Sequence, residues 1–317
     1  MKNISTIAFS GGVGGAKLAL GLARALPPDE LLIVANTADD FDHLGLHICP
    51  DLDTITYTLC GRANRSLGWG VEGETWSCLN ALSELGGPDW FRLGDRDIAT
   101  HLYRTQRLRE GARLSEVTAE MCAAFGIAQR LLPMSDDPVS TIVHTAEGEL
   151  PFQDYFVRRR CEPRVTGFHF AGAERATMHP ELRTVLDSPT LRAVIFCPSN
   201  PFVSIAPMLA IPGMEKVLRS IRAPIVAVSP IIGGKAVKGP AAKMMSELGM
   251  PISSLAVAQH YRDLITAFIV DETDSDEVAC IRGLGLACEA MPTLMNGDDD
   301  KLRLARSVIA YCHELTC

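Results

Sequence analysis

The opening thirty-five residues leave little freedom of architecture. Ile4 to Phe9 is a short apolar run, and Ser10-Gly-Gly-Val-Gly-Gly15 breaks it. Ala16 to Leu26 then places apolar residues at 18, 20, 22, 23 and 26, Pro27-Pro28 closes that pattern, and Leu31 to Ala35 is apolar again. The order reads as strand, glycine turn, amphipathic helix, strand. Two strands joined through a helix lie parallel, with a right-handed crossover. The fold expected is therefore α/β, a Rossmann-like parallel sheet. In such sheets ligands collect beyond the carboxyl ends of the strands.

The same pattern resumes late in the chain. Ala193 to Cys197 ends in Pro198-Ser-Asn-Pro201, Pro224 to Val228 ends in Ser229-Pro-Ile-Ile-Gly-Gly-Lys235, and Ala267 to Val270 ends in Asp271-Glu-Thr-Asp274. Residues 239–249 and 300–315 are helical in pattern, with Asp298-Asp-Asp300 a solvated helix start. Between the two parallel stretches the character changes. Residues 74–85, 95–109 and 115–125 have helical periodicity, Arg130 to Met134 and Ser140 to Thr145 are strand-like, and Leu150 to Val157 reads as the second arm of a hairpin across Ala146-Glu-Gly148. This divides the chain into a nucleotide-binding core, residues 1–60 and 175–317, and an inserted, mainly helical subdomain with a β-hairpin, residues 61–174. A chain of 317 residues is long enough for both.

Charge and cysteine usage narrow the partners. The net charge of -8 argues against a nucleic acid, whose phosphates need a basic surface. Ten cysteines occur without a C-x-x-C pair, which fits reduced thiols rather than a disulfide frame or a zinc site. The N-terminal apolar run is too short for a secretion signal, and no apolar stretch approaches the roughly 20 residues of a membrane span. A cytoplasmic location, away from membranes, is expected. A homodimer is the expected assembly only because two-fold dimers are common.

The glycine turn is the first candidate site. Gly12, Gly14 and Gly15 let the backbone approach a phosphate, the helix start offers free N–H groups, and Lys17 adds a cation. The dinucleotide fingerprint from Gly12 would require glycine where Lys17 stands, and no G-K-[S/T] follows for a P-loop. The competing reading is a tight structural turn.

The stretch from Asn36 to Thr54 holds Asp39, Asp40, Asp42, Asp51 and Asp53 with His43 and His47. One acid after the second strand could hold ribose hydroxyls, and Asp39 is placed for that. More carboxylates than one suit a hard cation such as Mg²⁺. The histidines fit a polar surface better, because Mg²⁺ prefers oxygen. Residues 51–59 are read as a helix with Asp51 as its cap and Leu52, Ile55 and Leu59 on one face, although the alternation from Thr54 to Leu59 would equally suit a strand. Ser199, Asn200, Gly234, Lys235 and Lys238 could contact phosphate or a base edge, or could form ordinary turns. In Gly94-Asp-Arg-Asp97 the acids suit a helix start, whereas Arg96 has no capping role. Trp69, Trp76 and Trp90 all lie in the insertion, where they could stack on a planar ligand or simply fill a core.

Taken in order, F-S-G-G-V-G-G-A-K (9–17), N-T-A-D-D (36–40), P-D-L-D-T (50–54), L-G-D-R-D-I-A-T-H (93–101), L-P-M-S-D-D-P-V-S-T (132–141), P-S-N-P-F-V-S-I-A-P (198–207) and V-S-P-I-I-G-G-K-A-V-K-G-P (228–240) make the chain resemble the 2-phospho-L-lactate transferase family of coenzyme F(420) biosynthesis. The resemblance implies an Mg²⁺-dependent enzyme that joins a guanosine diphosphate-linked acid to the deazaflavin Fo and releases GMP. It implies that the terminal ribityl hydroxyl of Fo attacks the acid-bearing phosphorus. By the same resemblance Asp53 and Arg96 contact Fo, and Asp39 and Asp53 hold the metal. Where the metal does not fully engage it, Asp53 could orient or deprotonate the attacking hydroxyl. The nucleotide falls on Gly12 to Gly15, Ser199, Asn200, Gly234 and Lys235. Two other readings compete. A gluconeogenesis-factor-like regulator would bind nucleotide sugars without catalysis, and an NAD-dependent oxidoreductase would use Asp39 on ribose. The regulator has no use for P-D-L-D-T together with the G-D-R-D helix start, and Lys17 in place of the third glycine and the surplus acids weigh against the oxidoreductase.

Overall fold

The computed structural model of the chain describes residues 4–316. Seven parallel strands form its centre: β1 (Thr6–Ser10), β2 (Leu31–Ala35), β3 (Arg130–Pro133), β7 (Ala193–Phe196), β8 (Ile225–Val228), β9 (Ala267–Asp271) and β10 (Ala287–Met291). A separate antiparallel sheet holds β4 (Ser140–Thr145), β5 (Gly148–Pro151) and β6 (Val165–Ala171). The spatial order of the large sheet is β10-β9-β8-β7-β1-β2-β3, and that of the small one β5-β4-β6. The α/β parallel fold expected from the sequence is the fold observed.

Both faces of the large sheet are covered, which is why its strands are continuous apolar runs rather than alternations. Ile7, Phe9, Leu32, Val34, Val194 and Phe196 face one core layer. Ala8, Leu31, Ile33, Ile195, Val226 and Ile269 face the other, where helix α1 (Gly12–Ala25) and the C-terminal helix Asp298–Glu314 pack. β2 and β7 flank β1 on opposite sides, with Thr6 aligned to Leu31 and to Ala193. The strand order therefore reverses at β1/β7, and a crevice opens beyond the carboxyl ends of these two strands.

The middle of the chain is less separate than its pattern suggests. Arg130–Pro133 does not belong to an insertion: β3 pairs in parallel with β2, Leu32 opposite Arg130, and forms one edge of the main sheet. Leu131 and Leu132 are buried on opposite faces there, so the short apolar run is better satisfied in the large sheet than in a hairpin. Residues 61–129 supply the helical layer, with α3 (Ser77–Glu84), α4 (Asp95–Arg109) and α5 (Leu114–Ala124). The arm expected over Leu150–Val157 stops at Pro151, and residues 154–158 turn into a short helical segment that buries Tyr155. The strand β6 supplies the remaining pairing partner of β4.

Among the described residues no helix is long and apolar enough to cross a membrane. The nine cysteines within them are free, and Cys317 lies outside the described residues.

Candidate active site

The crevice at the strand reversal encloses about 590 Å³ and is walled by the glycine turn, the start of α2 (Pro50–Leu59), the loop after β7 and the segment after β5. The glycine turn is built for close approach. Gly12 has φ of 64°, a left-handed conformation that suits glycine, and a Cβ on Gly14 would collide with the carbonyl oxygen of Pro198. Ser199 staples this loop to the opposite one: its Oγ accepts from Gly11 N at 3.1 Å and donates to Gly11 O at 2.8 Å. The amino end of α1 thus faces the crevice, and its first N–H groups are an anion site in the making.

Lys17 and Lys238 line the same space. Partial burial lowers the Lys17 pKa first, and the neighbouring Lys238 and Lys301 charges add to that. Lys301 is paired with Asp298 at 2.8 Å and Asp300 partly offsets the repulsion on Lys17, so Lys17 and Lys238 are the two lysines turned to the crevice. Lys17 Nζ meanwhile donates to the Met295 carbonyl at 2.7 Å, which holds it beside the turn.

The acids divide by helix geometry. Residues two apart on a helix point about 200° apart. Asp51 and Asp53 on α2 therefore face opposite ways. Asp51 is not the cap of α2, which starts at Pro50 with Cys49 before it. Its carboxylate instead crosses to the glycine turn, accepting from Gly12 N at 2.7 Å and from Asn36 Nδ2 at 2.9 Å. Asp39 stands beside it in the crevice wall, buried, with Oδ1 lacking any hydrogen-bond partner among the described residues. Burial, and then the Asp51 and Asp40 charges, hold the Asp39 carboxyl well above the usual carboxylate range. Burial raises Asp51 as well.

Asp53 does not reach the crevice. Both of its oxygens face Arg104 on α4, with Nη1 to Oδ2 at 3.1 Å and a second, shorter bond from Nη2 to Oδ1. Burial works to lower the Arg104 pKa, but the Asp53 carboxylate outweighs it and the guanidinium is held above its ordinary value. His101 Nδ1 lies 3.6 Å from Asp53 Oδ2, His101 Nε2 lies 3.4 Å from Asp97 Oδ1, and Tyr57 donates its hydroxyl to Asp97 at 2.7 Å. This buried chain fastens α2 to α4. Asp53, expected beside Asp39, is thus turned to Arg104, and the acid that stands with Asp39 in the crevice wall is Asp51.

Arg96 is likewise elsewhere. It follows Asp95 at the start of α4, turns outward, and donates to the Glu72 carbonyl at 3.0 Å. It borders a second cavity with Tyr57, Arg62 and Phe125, so Asp53 and Arg96 are not brought together on one ligand surface. Of the residues assigned to the nucleotide, Gly12, Gly14, Lys17, Ser199 and Asn200 line the crevice. Gly15 sits behind the wall against Ser10 and Ser199; Gly234 lies in the turn of a short hairpin with Lys235 opposite Ile232, and of this segment Ile232, Val237 and Lys238 line the crevice whereas Gly234 and Lys235 do not. His43 packs among Phe41, Trp90 and Phe91, and His47 contacts Asp42 at 2.9 Å.

The aromatic wall was only partly visible in advance. Trp69 and Trp90 line the crevice with Phe91, Phe152 and Phe156, whereas Trp76 lies under Arg92, 4.5 Å from the guanidinium carbon. Arg104 was missed altogether. Its signal was the spacing 97, 101, 104 on one face of α4, three polar residues in register on an inward stripe.

Residues 6–284 match the profile of the family described as 2-phospho-L-lactate transferase CofD. The chain belongs to the 2-phospho-L-lactate transferase family. It is 40% identical to a 2-phospho-L-lactate transferase of Methanosarcina mazei over 96% of this chain and 99% of that one. It is also 40% identical to a phosphoenolpyruvate transferase of Kitasatospora aureofaciens, covering 98% of each. Among solved structures, a member of the upf0052 family from Bacillus halodurans superimposes with a TM-score of 0.62 over 98% of this chain and 99% of that one, at 13% identity, a likeness of fold. Membership makes the chain a transferase by family, and relatives of equal identity carry two different acid names.

Proposed function

We propose that the chain transfers a phospho-organic acid from its guanosine diphosphate-linked donor to the terminal ribityl hydroxyl of the deazaflavin Fo, releasing GMP. The observation that carries the reading is the unpartnered Asp39 carboxylate oxygen set beside Asp51, opposite the amino end of α1 and Lys17, within one crevice of a transferase-family chain. A diphosphate supplies an anion for Lys17 and Lys238, which line the crevice; Lys301 is already paired with Asp298. Asp39 and Asp51 are the two carboxylates suited to Mg²⁺, whose charge relieves both their mutual repulsion and the orphaned oxygen. When bound, the ion supplies neutralisation of the charge that develops on the transferring phosphoryl group.

The chain's own residues do the rest. Phosphoryl transfer passes through a loose transition state and depends mainly on positioning and charge. The turn from Gly12 to Gly14 and Lys17 hold the diphosphate, Asn200 and Lys238 border the donor, and Trp69, Trp90 and Phe91 offer flat apolar surface to the deazaflavin. Asp53 acts through Arg104, fixing α2 so that Asp51 meets the turn. The acid carried by the donor is left open among phospholactyl, phosphoenolpyruvyl and phosphoglyceryl groups, and the two relatives of equal identity support keeping it open.

Chromatography with mass detection of Fo incubated with Mg²⁺ and each guanosine diphosphate-linked acid tests this. One donor should yield an Fo adduct carrying that acid and an equimolar amount of GMP. Tight UDP-sugar binding without Fo binding would instead identify a nucleotide-sugar regulator, and NADH binding would identify an oxidoreductase.

A further inference from the structure

The small sheet turns one face inward and leaves the other to solvent. Thr141, Val143 and Thr145 of β4 are buried, so His144 points outward by alternation. Directly opposite His144 stand Glu149 on β5 and Gly167 on β6. His169 lies opposite Ile142, on the diagonal from His144. Gly167 leaves room beside this diagonal: a Cβ there would touch His144 Nδ1 at 3.5 Å, an ordinary contact, and a branched side chain would crowd the ring. As built, His144 Nε2 is 2.6 Å from His169 Nδ1 and 3.5 Å from Glu149 Oε1, and His169 Nδ1 is 4.0 Å from the same oxygen. Three donor atoms from three neighbouring strands thus lie within 4.8 Å of one another.

We propose that His144, Glu149 and His169 form a binding site for a divalent transition metal of the zinc class, separate from the crevice. Two imidazole nitrogens and one carboxylate oxygen are a three-protein-ligand set for zinc, with the fourth position open to water. Hard cations prefer all-oxygen sites, so Mg²⁺ does not compete for this one. The two facing nitrogens stand 2.6 Å apart, closer than an N–H donor usually approaches its acceptor. Tetrahedral zinc with bonds of about 2.0–2.1 Å needs its nitrogens about 3.3 Å apart. The rings must part by less than about 1 Å, which half-exposed side chains on adjacent strands can do. The cluster lies on the solvent face of the small sheet, so the role is to bind the ion and tie β5, β4 and β6 together. The inference stands independently of the transferase reaction, because none of the three side chains borders the crevice.

The test is calorimetric titration of the full, chelator-stripped chain with ZnCl2 in Mg²⁺ buffer, paired with the absorption spectrum of the Co²⁺ form. One Zn²⁺ should bind per chain at micromolar concentration, and the Co²⁺ form should show d–d bands without thiolate charge transfer. His144→Ala and His169→Ala should each abolish both signals, and Glu149→Gln should weaken affinity by about 10-fold or more. Gly167→Val, which keeps all three ligands, should weaken it similarly, and circular dichroism should show every variant folded. His47→Ala, at the other mixed cluster of Asp40, His47 and Cys49, should change nothing. Binding that survives the His144→Ala/His169→Ala double variant, that follows His47, or that shows thiolate charge transfer would overturn the assignment.

Discussion

Replacing Asp39 and Asp51 by asparagine, one at a time, should move stability in opposite directions although the two acids share one wall. Asp51 accepts from Gly12 N at 2.7 Å and Asn36 Nδ2 at 2.9 Å. An asparagine there keeps one acceptor and turns its amide donor toward another donor. Losing one charge-assisted bond and leaving a buried donor unmet costs about 2–4 kcal/mol. Asp39 has no bond to lose at Oδ1, and burial together with the Asp51 and Asp40 charges disfavours its ionised form. Removing that charge should stabilise the metal-free protein by about 1–3 kcal/mol at pH 8, allowing for an effective dielectric near 20. The sign with pH follows from linkage. The folded carboxyl of Asp39 holds its proton at pH values where the unfolded chain has lost it. Wild-type stability therefore falls as pH climbs above the ordinary carboxylate range. The advantage of Asp39→Asn should vanish near pH 4, about where the unfolded carboxyl keeps its proton, and grow toward neutrality. Urea unfolding in chelator and in Mg²⁺ measures both effects. Mg²⁺ at about ten times its Kd should add about 1.4 kcal/mol to the wild type and almost nothing to either variant. If Asp39→Asn at pH 8 in chelator destabilises as much as Asp51→Asn, the Asp39 carboxylate is satisfied in the fold and the argument for a cation there fails.

Other outcomes follow from the same geometry. Arg104→Ala leaves Asp53 buried without its partner and should cost about 3–5 kcal/mol in urea unfolding; the Asp53→Asn/Arg104→Met pair should cost less than the two single changes summed. Lys17→Met and Lys238→Met should each raise the donor KM by about 10-fold, the worth of roughly 1.4 kcal/mol, with the Fo KM little changed in steady-state assays. Fo should quench tryptophan fluorescence in the Trp76→Phe protein but much less in the Trp69→Phe/Trp90→Phe protein, since Trp69 and Trp90 border the crevice and Trp76 does not.

The parts of the fold that could be read in advance are those where local pattern and final burial coincide. β1, α1 and β2 carry both signals, and the Gly12 turn between them carries its own backbone requirement. α2 also emerged as expected, because Leu52 and Ile55 mark one buried face. β10 was not foreseen: A-C-E-A-M offers no β-branched residue, and its place at the sheet edge is fixed by pairing with β9 rather than by propensity. β6 was missed for a similar reason, since Gly167 interrupts it and its pairing with β4 is long-range. β3 was seen as a strand but given to the wrong sheet, because a four-residue apolar run does not say which neighbour buries it.

The site shows the same limit in sharper form. The sequence places Asp39, Asp51, Asp53, Lys17 and Ser199 near strand ends. It does not say which carboxylate looks into the crevice. That choice is made by the rotation of α2, which Arg104 sets from a helix more than forty residues away. Arg96 was singled out because capping did not explain it, yet the residue that organises the acids lies two turns further along the same helix. Gly234 and Lys235 do not line the crevice, because in the short hairpin it is Ile232, opposite Lys235, that turns toward it, and Lys238 follows after the hairpin ends.

The most direct test of the transferase account is the mass of the product formed from Fo, Mg²⁺ and the guanosine diphosphate-linked acids by the wild type and by Asp39→Asn. The account predicts one Fo adduct and equimolar GMP from the wild type, with the adduct reduced by several orders of magnitude in the variant. Fo and donor recovered unchanged with every acid, or an Asp39→Asn protein as active as the wild type, would contradict it.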